Sequence, residues 1–456
     1  MKILMSTFFH DNLSFSVFYD HLFKWFISNY PTEKTEVIFI MTQKFYDESK
    51  EYDLPDFCKK ILMCDEEFFS IFGCKLIMDI VYQKVHYDGL SEDNILKLKN
   101  FMVKNCGGWE PDVIVTQGFC STRKIWGDIY KKALYITNDN AIFSRPPFFR
   151  TLSYDVYEPS PNNFLVRYSS DLKNFLITKK QYCEVEWFKH KLTRILDKNN
   201  LIKKDIAKYK RKFKKLVLLP LVSDKGIKLF RDCLYDSEFN MIEDVLKHVP
   251  EDTGVCVTQH DVFRSLTDKD IEYFSSKYPN FIFMQKTNES GYTSNSLYYL
   301  KHVDAVFNTT SKTALMALLW DKPILSLAKL SNIYLEDGNG VEDIKKVLKL
   351  KKVKKNNILY WYFTHYCLFE PDMTTEGFMY KYFSDKIKYY KKHGIDFGYF
   401  NEINDFKLVA NQVIEFVKKY YKDSSKQKMA EKQAELKIKL NKIIKKIIII
   451  YKLKFD

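Results

Sequence analysis

Along this chain short, nearly continuous apolar runs alternate with segments whose apolar positions recur with a period near 3.6, and the order of the alternation predicts an α/β protein. Lys2 to Thr7 has the length and apolarity of a buried strand. Asn12 to Asn29 follows as a helix with Phe15, Phe18, Leu22, Phe23 and Phe26 on one side. A strand is expected at Val37 to Met41, then a helical middle section. Strands at Val113 to Thr116 and Ala133 to Thr137 come next, separated by a helix holding Trp126 and Ile129. Alternation of this kind implies a parallel, Rossmann-like sheet.

The charged segment Lys203 to Lys215 closes that unit, and Leu216-Val217-Leu218-Leu219-Pro220-Leu221 opens another. Strands are expected at Gly254 to Thr258, Phe281 to Met284, Ala305 to Asn308 and Ile324 to Ser326. Helices are expected at Ser237 to Lys247, Asp268 to Lys277, Ser294 to Lys301 and Ser311 to Trp320. Beyond about Leu350 the pattern becomes helical and rich in aromatics, over Tyr360 to Phe369, Phe378 to Tyr390 and Phe406 to Tyr421. The expected organisation is a Rossmann-like domain over 1–205, a second over 206–350, a helical crossover segment over 351–422 and a basic amphipathic tail over 423–456.

Composition narrows the function classes. A chain of 456 residues that is 46% hydrophobic has ample material for two packed cores. Nine cysteines stand singly, without a C-x-x-C pair, which suits a reducing cytosol. The opening Met1-Lys2-Ile3-Leu4-Met5 is too short for a signal peptide, and no apolar stretch reaches the roughly 18 residues of a spanning helix. The net charge of +14 is concentrated: Lys426 to Lys454 carries ten lysines against Glu431 and Glu435. Charge gathered at domain ends, not interleaved with stacking aromatics, argues against nucleic-acid binding. A basic amphipathic tail fits an anionic leaflet, with an oligomerising or solvated tail as the alternative.

Candidate chemistry sits at two strand ends. Ligands of parallel sheets bind outside the carboxyl ends of the strands. One run ends in Thr258-Gln259-His260, where the imidazole can donate to a phosphate or sugar oxygen or be an ordinary loop histidine. The other ends in Asn308-Thr309-Thr310-Ser311, where hydroxyls and a helix start can cradle a phosphate or merely cap the helix.

Four segments over Leu216 to Tyr334 together resemble the capsule polysaccharide biosynthesis glycosyltransferases, the bacterial family that includes Kdo transferases. Leu218-Leu219-Pro220-Leu221 with Asp224 is similar to the family's opening strand and nearby aspartate. Thr258-Gln259-His260-Asp261 stands where the family has a strand ending in His-Pro, and Asn308-Thr309-Thr310-Ser311 matches its Ser/Thr-rich turn. Leu315 to Leu319 with Asp321-Lys322-Pro323-Ile324 is similar to its helix and Gly-Lys-Pro-Val strand entry. Two positions depart from the pattern: Asp261 replaces a proline, and Met316 replaces a glutamate thought to hold the nucleotide ribose.

The resemblance implies a GT-B fold, two facing Rossmann-like domains with C-terminal helices. The second domain binds the nucleotide-sugar, through Asp224, Gln259, His260, Thr309, Thr310 and Ser311, and the first binds the acceptor. It also implies no catalytic metal and no separate cofactor, with a CMP-linked sugar such as Kdo as the first donor expected. An acceptor hydroxyl must lose its proton, or a carboxylate must attack the donor, so the first domain should supply an acid group. Asp139 is the favoured candidate, with an Asx turn as its structural alternative. His10 and Asp11 form the second candidate pair, and Arg145 and Arg150 are candidates for gripping an anionic sugar or acceptor. The expected protein is a cytoplasmic transferase peripheral on the inner membrane, acting on a glycan or glycolipid acceptor in capsule or lipopolysaccharide assembly. The competing expectation is a catalytically silent nucleotide- or carbohydrate-binding scaffold.

Overall fold

The computed structural model describes residues 1–6, 35–48, 58–74, 91–117, 123–143, 145–157, 161–200, 202–222, 232–259, 264–284 and 295–424. The expected helix at Asn12 to Asn29 and residues 425–456 of the expected tail lie outside these. Among the described residues thirteen strands form two sheets. The first six are β1 (Lys2–Ser6), β2 (Glu36–Thr42), β3 (Cys58–Met63), β4 (Val113–Gln117), β5 (Leu134–Asn140) and β6 (Thr151–Asp155). The next six are β7 (Lys215–Pro220), β8 (Thr253–Thr258), β9 (Phe281–Phe283), β10 (Ala305–Asn308), β11 (Ile324–Ser326) and β12 (Gly338–Asn339), and β13 (Cys367–Phe369) comes last.

The first sheet runs β13-β6-β5-β4-β1-β2-β3 and the second β12-β11-β10-β7-β8-β9. From β3 through β5 all neighbours are parallel, while β6 lies antiparallel to β5 and β13 antiparallel to β6. All pairings of the second sheet are parallel. Each sheet therefore has the doubly wound order of a Rossmann-like domain.

Burial on both faces explains the near-continuous apolar runs. Val113 and Val115 of β4 face one apolar cluster and Ile114 another; Leu216 and Leu218 of β7 face one, and Val217 and Leu219 another. Each such side chain contributes about 1.5–3 kcal/mol of burial. One cluster is continuous from the first sheet (Val115, Tyr154) through the second (Leu218, Val306) to the C-terminal helices (Trp361, Phe383).

Several elements differ from expectation. The helical middle section contains β3, whose CKKILM sequence is only partly apolar because it is an edge strand with Lys59 and Lys60 exposed. The expected helix over Tyr360 to Phe369 is split into a helix Asn356–Trp361, a π-helical turn Tyr362–Tyr366 and the strand β13. The free edge of β6 decides this: Cys367, Leu368 and Phe369 pair with Ser153, Leu152 and Thr151, so tertiary pairing overrides local helical propensity. The helix expected from Ser311 starts at Thr313, runs to Ala317 and tightens to a 3-10 turn over Leu318–Trp320. Among the described residues no helix is long and apolar enough to cross a membrane.

Where the two domains join, the helix Lys179–Lys198 carries a buried polar knot. Thr178 starts this helix as a capping box: its hydroxyl accepts from Gln181 N–H at 3.3 Å, and Gln181 Oε1 accepts from Thr178 N–H at 2.8 Å. Two turns on, the buried Lys189 ammonium donates to Glu186 and Asn356, both at 2.9 Å, and to Asp321. Burial alone would raise the Glu186 carboxyl, but hydrogen bonds from Lys354, Asn356 and Lys189 outweigh it and hold the group down at about 2. Asp321 ends the 3-10 turn in the left-handed region, at φ 54°. Glycine is the residue with no steric cost there, and the resembled family has glycine at this position.

Candidate active site

The strand orders locate the crevices. In the first sheet the order reverses between β1 and β4, in the second between β7 and β10, and the carboxyl ends at these points are where ligands of such sheets bind. The two rims meet: Lys312, just after β10, places Nζ 3.1 Å from Asp139 Oδ2 on β5, and also donates to the carbonyl of Asn140. This contact joins the carboxyl edge of one sheet to that of the other.

On the first-domain rim, Asp139 is partly exposed, with its side chain at 35%. Its Oδ1 accepts the backbone N–H of the next residue, Asn140, at 2.7 Å, which is not the bond two residues on that defines an Asx turn, while Oδ2 contacts Lys312 of the other domain. Three neighbouring strands add a row of buried hydroxyls, because Ser6 pairs in register with Thr116 and Thr116 with Thr137. Thr116 Oγ1 shares a hydrogen bond with the Tyr135 hydroxyl at 2.8 Å. Ser6 Oγ and Thr137 Oγ1 have no hydrogen-bond partner among the described residues. Burial first, then the neighbouring Cys367, Tyr334 and Asp139, raise the Tyr362 phenol well above its usual value. The connection from β5 to β6 carries Arg145, which is exposed, and Arg150, whose backbone N–H donates to Glu370 Oε2 at 3.1 Å.

On the second-domain rim, Asn332 holds the turn after β10. The amide of Asn308 donates to Asn332 Oδ1 at 3.2 Å, and the amide of Asn332 donates back to the carbonyls of Asn308 and Thr309. Thr309 is buried, and its hydroxyl has no partner among the described residues. Thr310 and Ser311 are half-buried. Ser311 Oγ accepts the Thr313 backbone N–H at 3.3 Å and donates to Thr313 Oγ1 at 3.0 Å, so its hydroxyl already serves the helix start. Gln259 braces its own loop, its Oε1 accepting from Leu266 N–H at 3.1 Å. His10, Asp11, Asp224 and His260 lie outside the described residues, and so does the expected meeting of His260 with the 309–311 turn. Met316 is buried in the large apolar cluster, where a carboxylate would lack water. Among the described residues no group of three or more histidine, cysteine or acidic side chains converges.

Asp139 was expected after a strand and lies within the last residues of β5, where its carboxylate contacts Lys312 of the other domain. Lys312 and Asn332 were missed. The signal for Lys312 was a lone cation inside a hydroxyl-rich turn at a strand end; Asn332 lies 24 residues beyond Asn308 and carries no local mark.

Two doubly wound sheets whose carboxyl edges meet at Lys312 and Asp139 define a two-domain α/β protein of the GT-B fold. Residues 151–360, just under half of the chain, match the family described as capsule polysaccharide biosynthesis protein. No curated protein matches the chain. Among solved structures it is similar to the β-Kdo 2,7 transferase KpsC of Thermosulfurimonas dismutans, with 12% identity over 64% of this chain and 89% of that one and a TM-score of 0.39. It is also similar to the UDP-GlcNAc 2-epimerase of Methanocaldococcus jannaschii in complex with UDP-GlcNAc and UDP, with 12% identity over 78% of this chain and 94% of that one and a TM-score of 0.32.

Proposed function

We propose that the chain is a glycosyltransferase that moves a sugar from a nucleotide-sugar donor to a glycan or glycolipid acceptor in surface-polysaccharide assembly. The donor's phosphate would lie against the turn formed by Thr309, Thr310 and Ser311. The acceptor would approach over the hydroxyl row of the first sheet, with the chemistry between them at Asp139. The observation that carries this reading is the contact of Asp139 with Lys312, which puts a carboxylate from one domain beside the candidate phosphate turn of the other.

In this scheme the acceptor oxygen bonds to the anomeric carbon, the bond from that carbon to the donor phosphate breaks, and the phosphate leaves with the electron pair. Asp139 Oδ2 takes the hydroxyl proton. The leaving phosphate is stabilised by hydrogen-bond donors of the turn, so the proposal invokes no metal. A CMP-linked ulosonic acid such as Kdo is the proposed donor, on the family resemblance. The proposed location is the cytoplasmic face of the inner membrane, held by the basic tail.

Buried Met316, where the family carries a glutamate, favours a second reading: a scaffold that binds a nucleotide-sugar without turnover. A panel of CMP-, UDP- and GDP-sugars separates the two when thermal stabilisation and donor consumption are measured on wild type and Asp139→Asn. Turnover by wild type that falls by at least about 100-fold in Asp139→Asn supports the transferase, this being the usual contribution of a positioned base. Binding without turnover supports the scaffold, and equal turnover by both proteins removes Asp139 from the mechanism.

A further inference from the structure

Lys312 is a cation with two claims on it. Its ammonium rests on Asp139 Oδ2 at 3.1 Å and on the Asn140 carbonyl, across the cleft from its own backbone. Its backbone belongs to the turn of Thr309, Thr310 and Ser311, between Ser311 and Thr313, whose hydroxyls are 3.0 Å apart. The pair is partly solvated, with side chains 37% and 35% exposed, so it is weak enough to exchange. A phosphate offers more negative charge and more acceptor oxygens than one carboxylate already engaged by the Asn140 N–H.

We propose that Lys312 is the specific cation that recognises the donor's phosphate, and that it reaches the phosphate by leaving Asp139. This rests on the nucleotide-sugar reading above and extends it to the order of events. While Lys312 pairs with Asp139, the carboxylate is neutralised and bridged to the opposite domain, a poor position from which to take a proton. A phosphate at the turn draws the ammonium away, and the same move uncovers Oδ2 for the acceptor hydroxyl. Donor binding and activation of the base become one exchange. An acceptor arriving alone meets an occupied carboxylate.

Competition for one ammonium has a signature that a structural salt bridge lacks. CMP, UDP and GDP are titrated calorimetrically into wild type, Asp139→Asn, Lys312→Gln and the double variant, with melting curves checking that each is folded. Asp139→Asn should tighten nucleotide binding about two- to five-fold, the worth of a partly exposed ion pair that no longer competes. Lys312→Gln should weaken it about ten-fold or more, through loss of charge-assisted hydrogen bonds. In the Lys312→Gln background, Asp139→Asn should change nothing, and Lys312→Arg should restore most of the affinity. Unchanged affinity in Asp139→Asn, or effects that simply multiply in the double variant, overturn the exchange while leaving the transferase reading standing. Failure of wild type to bind any of the three nucleotides removes both.

Discussion

Replacing Asp321 with glycine tests whether the polar knot at the domain junction holds the fold together. At φ 54° the backbone strain on a non-glycine residue is about 1 kcal/mol, and Asp321→Gly relieves it. The same change removes a carboxylate whose side chain is 11% exposed from an ammonium that is 5% exposed. Breaking a buried pair costs about 3–5 kcal/mol, because it leaves a charge without compensation. Here Glu186 and Asn356 remain on Lys189, both at 2.9 Å, so the lower end applies, about 3 kcal/mol. Asp321→Gly should therefore be less stable than wild type by about 2 kcal/mol, the difference of the two effects. Urea unfolding followed by tryptophan fluorescence measures this directly. The double variant Lys189→Met with Asp321→Gly should recover most of the loss, since no buried charge is left stranded at that pair. An Asp321→Gly protein as stable as wild type, or more stable, would show that the carboxylate contributes nothing beyond strain.

Two further outcomes follow from particular residues. Burial pushes the Lys386 ammonium down to about 7, with Asp385 opposing; it is enclosed by Tyr382, Tyr399 and Phe400 and donates to the Tyr399 carbonyl at 2.7 Å. Between about 7 and its ordinary value of 10.5 the unfolded chain binds the extra proton, so this group makes stability rise with pH over that window. Lys386→Met should flatten the rise between pH 7 and 9 in urea titrations; an unaltered slope would mean that the lysine is not the group responsible. Deleting residues 426–456 should move the protein from anionic vesicles to the supernatant in sedimentation while donor consumption in solution persists, and retention on the vesicles would place the membrane contact elsewhere.

Legibility of the sequence followed burial. Strands β1, β2, β4, β5, β7, β8, β10 and β11 show as compact apolar runs because parallel strands covered on both faces need apolar residues at every position. Of the strands that were missed (β3, β6, β12 and β13), β6 mixes Thr151, Ser153 and Asp155 with Leu152 and Tyr154, and β13 exists because β6 leaves an edge to fill. At the site, Asp139 stood out in the sequence as an acid near a strand's carboxyl end, and the structure has it within β5 (Leu134–Asn140), two residues beyond the expected strand end. Lys312 was not, since a single lysine in a lysine-rich chain reads as solvated charge, and its carboxylate partner, Asp139, comes from the first domain. Ser311 carries the bland reading as well: its hydroxyl holds the helix start.

The return of the chain to the first sheet at β13 has a practical consequence. The polypeptide passes from the first lobe to the second once, then comes back, so the first lobe is not a contiguous stretch of sequence although the second sheet, β7 to β12, is. Cutting after the second sheet would strip β6 of its neighbour and bare an edge that Cys367, Leu368 and Phe369 normally seal. The first lobe is therefore completed only after the second has been made, and any opening between the lobes must be accommodated at both crossings of the chain.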